Sequence, residues 1–192
     1  MAVKNTLSLY LLAIFIVGLV GIRPNTLHAQ TELDHDPGYV DFDKMDERLF
    51  FAKPDVQVNI RGQLLKLVAE ASREDDPEFA DLLLRLRAIQ VRSFPMRSSQ
   101  IRSMEMHSRG IGEELEEDGW DTVVRLRDHG QYVDVYAIED EEFILGLMMM
   151  VVDKEVNETI LINIVGNMAA DELGRIGSKF DIEPLSEIMQ GQ

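Results

Sequence analysis

Cysteine, histidine and serine most often carry metal or covalent chemistry, and in this chain they lack the spacing that such chemistry needs. The 192 residues include no cysteine, which excludes thiol catalysis, thiolate zinc sites and disulfide bonds. Beyond residue 29 the histidines are His35, His107 and His129, and none belongs to a His-x-x-x-His or His-Glu-x-x-His pair. Gly-x-Ser-x-Gly, Ser-x-x-Lys and dinucleotide-binding glycine patterns are absent too. We therefore predict no catalytic residue, no metal site and no cofactor.

Two weaker metal patterns have simpler explanations. Asp34, His35 and Asp36, with Asp41 and Asp43, could gather a hard cation, but they lack the spacing and the late glutamate of a calcium loop. We interpret them as part of a solvated acidic arm.

The run Met104-Glu105-Met106-His107 offers thioether and imidazole groups, which suit copper(I). On a helix, however, Met104 and Met106 point about 200° apart and cannot easily share an ion. Met104 instead fits a buried stripe with Ile101 and Ile111, so we predict that it is a core residue.

Arg125, Arg127 and Asp134 form a polar group on the predicted sheet. They lie on two successive predicted strands, where the arginines most simply pair with the aspartate across the strands. Arginine forks also suit carboxylate ligands. One hypothesis for the function, kept here as the alternative, is therefore a small ligand-binding protein or hydrolase-like enzyme that uses this sheet face.

The elements that would position these residues indicate an α+β fold. Val56 to Ile60 alternates like a strand, and Gly62 opens a helix. Asp76 and Pro77 then start a second helix, and Ala88 to Phe94 forms a strand. Ser98 and Ser99 cap a longer helix that Gly119 ends. Four strand signals with short turns follow, at 120–127, 131–139, 143–152 and 159–165, and a helix is predicted at 171–180. We predict a mostly antiparallel sheet with a C-terminal four-stranded meander and with helices packed on one face.

The third meander strand is apolar on both faces, so both must be covered. Helices on one face would leave the other exposed as a strip that something must shield. The simpler cover is the arm, docked through Leu49, Phe50 and Phe51. The alternative is a partner or a second copy of the protein, for which the strip would be the contact surface. The strip consists of Tyr132, Tyr136, Met148, Met150 and Leu161.

The chain divides into four predicted segments. Residues 1–29 hold Lys4, an apolar run of 16 residues and a polar end, the order of a secretory signal peptide cleaved near Ala29. The run is shorter than the roughly 20 residues that span a bilayer, although retention as an anchor is the alternative. Residues 30–53 form the acidic N-terminal arm, residues 54–180 a single domain and residues 181–192 a flexible tail.

Charge excludes one class of partner. The formal net charge is −16, and it becomes −18 when cleavage removes Lys4 and Arg23 but no acid. Such a chain repels phosphate backbones, so we expect no nucleic-acid partner, and anionic membrane surfaces are disfavoured. After cleavage we expect no stable membrane span. The expected location is periplasmic or secreted.

The hydrophobic motifs resemble the bacterial exported family catalogued as domain of unknown function 4252. The similarity covers about residues 52–180. Many relatives carry a lipid-modified cysteine, which this chain lacks, so we expect no lipid tether. The motifs are Val56–Ile60 running into Leu64–Val68, Leu86–Val91, Trp120–Arg127, Phe143–Asp153 and Ile160–Met168.

The resemblance implies export and a place in the cell envelope. Genes of the family often lie near sigma and anti-sigma factors, which implies a role in envelope-stress signalling. It supplies no catalytic residues. We therefore expect a non-enzymatic protein that acts by protein–protein interaction, with an envelope protein or a second copy as its partner.

Overall fold

The computed structural model describes residues 33–49, 53–128 and 130–172. Within these ranges, four helices and six strands follow one another, with a short 3-10 turn at Ser98–Gln100 before the longest of these helices. The helices are α1 (Phe42–Leu49), α2 (Gln63–Ser72), α3 (Pro77–Arg85) and α4 (Ile101–Glu117). The strands are β1 (Val56–Arg61), β2 (Leu86–Pro95), β3 (Asp121–Asp128), β4 (Gln131–Glu139), β5 (Ile144–Asp153) and β6 (Glu158–Met168).

The six strands form one antiparallel sheet in the order β1-β2-β6-β5-β4-β3. Strands β3 to β6 are sequential neighbours, which confirms the predicted C-terminal meander, and β2 closes against β6. The α+β class is confirmed. Since every pairing is antiparallel, short turns suffice between the meander strands.

Local sequence signals explain the start of α3 and the end of α4. The Asp76 carboxylate accepts a hydrogen bond from the Phe79 backbone N–H at 3.0 Å, with Pro77 in the first turn. Gly119, with φ at 91°, follows the end of α4 as predicted. The predicted serine cap of α4 is wrong, because the 3-10 turn intervenes and the helix begins after Gln100 without a side-chain cap.

One side of the sheet, here called the aliphatic face, carries α2 and α3. The predicted alternation is confirmed there, because the inward residues of β4 and β6 belong to one buried cluster with both helices. The core residues of the aliphatic face include Val58, Ile60, Leu65, Leu82, Ile89, Val135, Met149, Ile160, Ile162 and Ile164.

The opposite side, here called the arm face, is covered as well, which corrects the prediction of helices on one face only. A second buried cluster joins α4 and α1 to the alternate residues of β2, β4, β5 and β6. The two-sided apolar pattern of β5 required such a cover, and the chain itself supplies it. The cluster includes Phe42, Met45, Phe94, Met104, Ile111, Leu115, Trp120, Tyr136, Met148, Met150 and Leu161.

The N-terminal arm packs onto this face through residues upstream of those predicted. Val40, Phe42 and Met45 are buried against the sheet, and the part of the arm from Phe42 to Leu49 forms α1. Phe50 and Phe51 lie outside the described residues, and the structure does not describe the Leu49 side chain.

Several predictions concern parts of the chain that the structure does not describe. The signal peptide, the tail and the 171–180 helix beyond Glu172 lie there. In the ranges given above, no helix is both long enough and apolar enough to cross a membrane.

Candidate functional site

Arg125, Arg127 and Asp134 come together at the β3–β4 end of the arm face, as the cross-strand pattern predicts. Arg125 lies directly opposite Asp134 in the strand register. The Nη2 atom of Arg127 is 2.8 Å from the carboxylate of Asp134, and the Nε atom of Arg125 is 3.5 Å from its Oδ1. The predicted pairing across the strands is therefore confirmed.

Helix α4 packs over this cluster on the arm face. The side chain of Asp134 is 1% exposed, and its Oδ2 accepts a hydrogen bond from the hydroxyl of the buried Ser108 on α4. A buried carboxylate is stable only when it is paired and hydrogen-bonded, and Asp134 has both kinds of partner. Sequence analysis missed Ser108, although its position on the inward side of the predicted α4 could have suggested it.

Tyr136 lies next to this cluster and is fully enclosed. Burial raises the pKa of its hydroxyl, while the nearby Arg125 guanidinium lowers it in part. In turn, the contact with Tyr136 raises the pKa of Arg125 against the opposing effect of burial. Gly112 of α4 makes room for the phenol, because a Cβ there would lie 2.5 Å from its hydroxyl oxygen.

A second group of positive charges lies beside the cluster around the ring of Tyr132. The guanidinium carbon of Arg127 is 5.0 Å from the ring centroid, and the ammonium nitrogen of Lys154 is 4.0 Å from it. Both distances suit cation–π attraction. Lys154 also donates a hydrogen bond to the Tyr132 hydroxyl.

The cluster around Asp134 is better suited to stabilising the fold than to covalent chemistry. Ser108 donates to a buried carboxylate that two guanidinium groups already contact, so these contacts connect β3, β4 and α4. Arg125 is 52% exposed, so its outer edge is the part of the cluster that a carboxylate ligand could reach.

The predicted partner surface is wrong as an exposed surface. Tyr136, Met148, Met150 and Leu161 are at most 1% exposed, and only Tyr132 reaches solvent in part. The reason is the cover described above, in which α4 and the arm bury the strip.

The acidic arm is tied down by ion pairs rather than arranged as a cation site. In residues 33–49, 53–128 and 130–172, no group of three His, Asp or Glu side chains is placed to hold a metal ion. Hydrogen bonds from the backbone and side chain of Lys44 lower the pKa of Asp41, although burial alone would raise it. The arm pairs are Asp36 with Arg87 at 2.8 Å, Asp43 with Arg92 at 2.6 Å and Asp41 with Lys44 at 3.1 Å.

The methionine prediction is confirmed. Met104 is 5% exposed within the arm-face core, whereas Met106 is 63% exposed. The two sulfur atoms therefore lie in different environments, as helix geometry predicts.

Sequence analysis also missed the buried amides of Gln90 and Asn163. The Asn163 side chain accepts from the Val40 N–H and donates to the Gly38 carbonyl, each at 3.0 Å. Gln90 donates to the Val40 carbonyl at 3.3 Å. Polar residues inside otherwise apolar strands were the available signal, because buried amides need partners.

The two edges of the sheet differ in their protection. At one edge, β3 carries a register shift between Thr122 and Val124 and includes four charged residues. At the other edge, β1 pairs with β2 over six consecutive residues without a shift, and Arg61 is its one charge. Bulges and charges protect an edge strand from added strands, so β1 is the less protected edge.

The family comparison agrees with the predicted resemblance. The family model described as Domain of unknown function (DUF4252) matches residues 50–176, about two thirds of the chain. No curated protein and no solved structure matches the chain. The matched range contains the whole sheet, α2 to α4 and the Arg125–Arg127–Asp134 cluster. The chain therefore belongs to the family of domain of unknown function 4252.

Proposed function

We propose that this chain is an exported, non-enzymatic protein of the bacterial cell envelope that acts by protein–protein interaction. The contact surface is the open edge of β1. Among the described residues no segment pairs with that edge, while β2 occupies its other side. An unpaired edge presents a row of backbone N–H and C=O groups to which an extended strand can add.

The side chains of β1 favour such an addition. Val56 to Ile60 is an uncharged stretch in a chain of net charge −16. Its apolar residues face the aliphatic core, while Gln57 and Asn59 are exposed on the other side. A partner strand would therefore meet backbone groups without having to bury a charge.

Export supports an envelope location. We infer that residues 1–29 are a signal peptide cleaved near Ala29, on the order of charge, apolar run and polar end. The location would be periplasmic or secreted, with a role in envelope-stress or anti-sigma-linked signalling. Fractionation and N-terminal sequencing of the protein test this. Retention of residues 1–29 on the mature protein would contradict it.

The interaction is tested by crosslinking in envelope fractions. We compare the wild type with the double variant Gln57→Lys, Asn59→Lys, which places charges beside the edge at exposed positions. A matched control, Gln131→Lys, places a charge on an exposed residue of β4. Proteins that the wild type and the control capture should be lost from the double variant. An identical set from all three proteins would count against the proposal.

One observation favours a second candidate, a small carboxylate ligand at Arg125. The guanidinium is half exposed and lies 3.5 Å from Asp134, farther than Arg127 does. Titration with acetate, followed calorimetrically in the wild type and in Arg125→Gln, tests this candidate. Saturable binding that the variant loses would support it, and equal heats from both proteins would exclude it.

A further inference from the structure

We propose that β1 pairs with β1 of a second copy of the chain, in antiparallel orientation about a two-fold axis at Val58. This inference rests on the proposed function and names the partner at the same edge. It would join two six-stranded sheets into one continuous sheet. Isologous contacts of this kind are the commonest way in which identical chains associate.

The sequence of β1 is complementary to itself in this register. Val58 faces Val58 of the partner subunit, and Val56 faces Ile60 of the partner subunit. Gln57 faces Asn59 of the partner subunit. Residues opposite each other in an antiparallel pair lie on the same face, so apolar residues meet apolar ones and amides meet amides.

Charges at both ends of the strand favour the same register. Asp55, the residue before β1, falls opposite Arg61 of the partner subunit, and two-fold symmetry creates that contact twice. Asp55 is exposed and Arg61 is half-buried, and both are placed by alternation on the arm-face side with Gln57 and Asn59. Opposite charges directly across strands stabilise a pair.

Other registers lose this complementarity. A shift by one residue would set apolar side chains against amides, because the side-chain period of a strand is two. A shift by two would place Arg61 opposite Gln57 of the partner subunit, or Asp55 opposite Asn59 of the partner subunit. Either shift would remove both ion pairs.

The opposite edge does not offer the same contact. In β3 the shift near Val123 moves Asp121 and Arg127 to different faces, since Asp121 pairs with Ala137 and Arg127 with Tyr132. Two copies of β3 could therefore not bring these two opposite charges together on one face. The inference is specific to β1.

Two charge variants test the pairing at matched positions. In Gln57→Lys, Asn59→Lys, like charges would meet across the interface, whereas in Gln57→Lys, Asn59→Glu, opposite charges would meet. Sedimentation velocity of the purified protein should show a mass that doubles with concentration in the wild type. The first variant should weaken association by at least about tenfold, and the second should restore it. A wild type that stays monomeric, or two variants that behave alike, would overturn the proposal.

The register is tested with cysteines, which the natural chain lacks. Under oxidation, a mixture of the single variants Gln57→Cys and Asn59→Cys should form a disulfide-linked heterodimer. Each variant alone should form at most about a tenth of that product, because its cysteines would lie diagonally apart. Equal yields from the mixture and from either single variant would contradict the register.

The two proposals fail in different ways. If the wild type is monomeric but the double-lysine variant loses its captured envelope proteins, self-pairing is wrong and the interaction edge stands. If the wild type forms the predicted dimer but captures the same proteins as the variant, the edge serves self-association alone.

Discussion

The side-chain amide of Asn163 makes hydrogen bonds to the arm backbone at Val40, as the backbone of a neighbouring strand would do. Its Oδ1 atom accepts from the Val40 N–H at 3.0 Å, and its Nδ2 atom donates to the Gly38 carbonyl at 3.0 Å and to the Leu147 carbonyl at 3.2 Å. Gln90 completes the set by donating to Oδ1 at 3.3 Å. One buried amide thus fixes the arm across the middle of the sheet.

Replacing this amide should therefore release the arm. Asn163→Leu keeps the volume but leaves buried backbone groups of Gly38 and Val40 without partners, so we expect a loss of about 3 kcal/mol in the free energy of unfolding. Urea denaturation measures it, with Gln131→Leu at an exposed position as the control. A loss no larger than that of the control would show that the amide does not hold the arm.

Gly112 and Gly110 provide a matched pair on α4. A Cβ at Gly112 would collide with the Tyr136 hydroxyl, whereas a Cβ at Gly110 meets nothing within 4 Å. We expect Gly112→Ala to destabilise by about 1–3 kcal/mol through overpacking. Gly110→Ala should stabilise by up to about 1 kcal/mol through helix propensity. Thermal denaturation compares the two.

The clash has a specific remedy. Adding Tyr136→Phe to Gly112→Ala removes the atom nearest to the new methyl group, so the double variant should recover part of the lost stability. If the two substitutions were simply additive, the contact would not be the cause of the loss.

Strand alternation predicted most of the sheet because side chains of a strand follow a period of two. It placed Asp134 and Tyr136 on one face and Val135 on the other. The face that carries the polar cluster could therefore be predicted from the sequence. It failed near Gly146, where a register shift moves Ile144 into the core of the aliphatic face. A bulge of this kind depends on tertiary packing and leaves little local signal.

The cover of the arm face could not be derived from the pattern of β5 alone. That pattern required a cover but did not say whether the chain, a partner or a second copy supplies it. The decisive contact lies between distant residues, where a Cβ on Gly146 would come within 2.4 Å of Gly38 Cα. Such proximity of two glycines, far apart in the sequence, has no periodicity to reveal it.

Phe42 should be the main apolar anchor of the arm. It is 1% exposed beneath the guanidinium of Arg92, and Phe42→Ala should cost about 3–5 kcal/mol. Binding of a hydrophobic dye should rise as well, because Met148 and Leu161 lose their cover. Met106→Ala, at an exposed position, serves as the control. Unchanged dye binding would mean that the arm face stays closed without Phe42.

The two members of the Arg127–Asp134 pair should respond differently to removal. Arg127→Ala leaves the buried Asp134 carboxylate without its nearest guanidinium, so we expect a loss of about 3 kcal/mol in the free energy of unfolding. The remaining contact between Arg125 and Asp134 limits this loss. Asp134→Ala should cost less, because the Arg127 guanidinium is 36% exposed and can turn to solvent. Chemical denaturation of both variants decides this, and equal losses would contradict the asymmetry.

The phenol of Tyr136 should make the protein sensitive to alkaline pH. Burial raises its pKa above the ordinary value of 10.0 in the folded state, so the unfolded chain loses this proton first. The stability that the protonated phenol contributes is fully present below pH 10.0 and is lost as the pH rises through the folded-state pKa. The wild type should therefore lose stability relative to Tyr136→Phe as the pH rises above 10.0 in urea denaturation. Parallel curves for the two proteins over that range would show that the hydroxyl ionises as freely in the folded state as in the unfolded one.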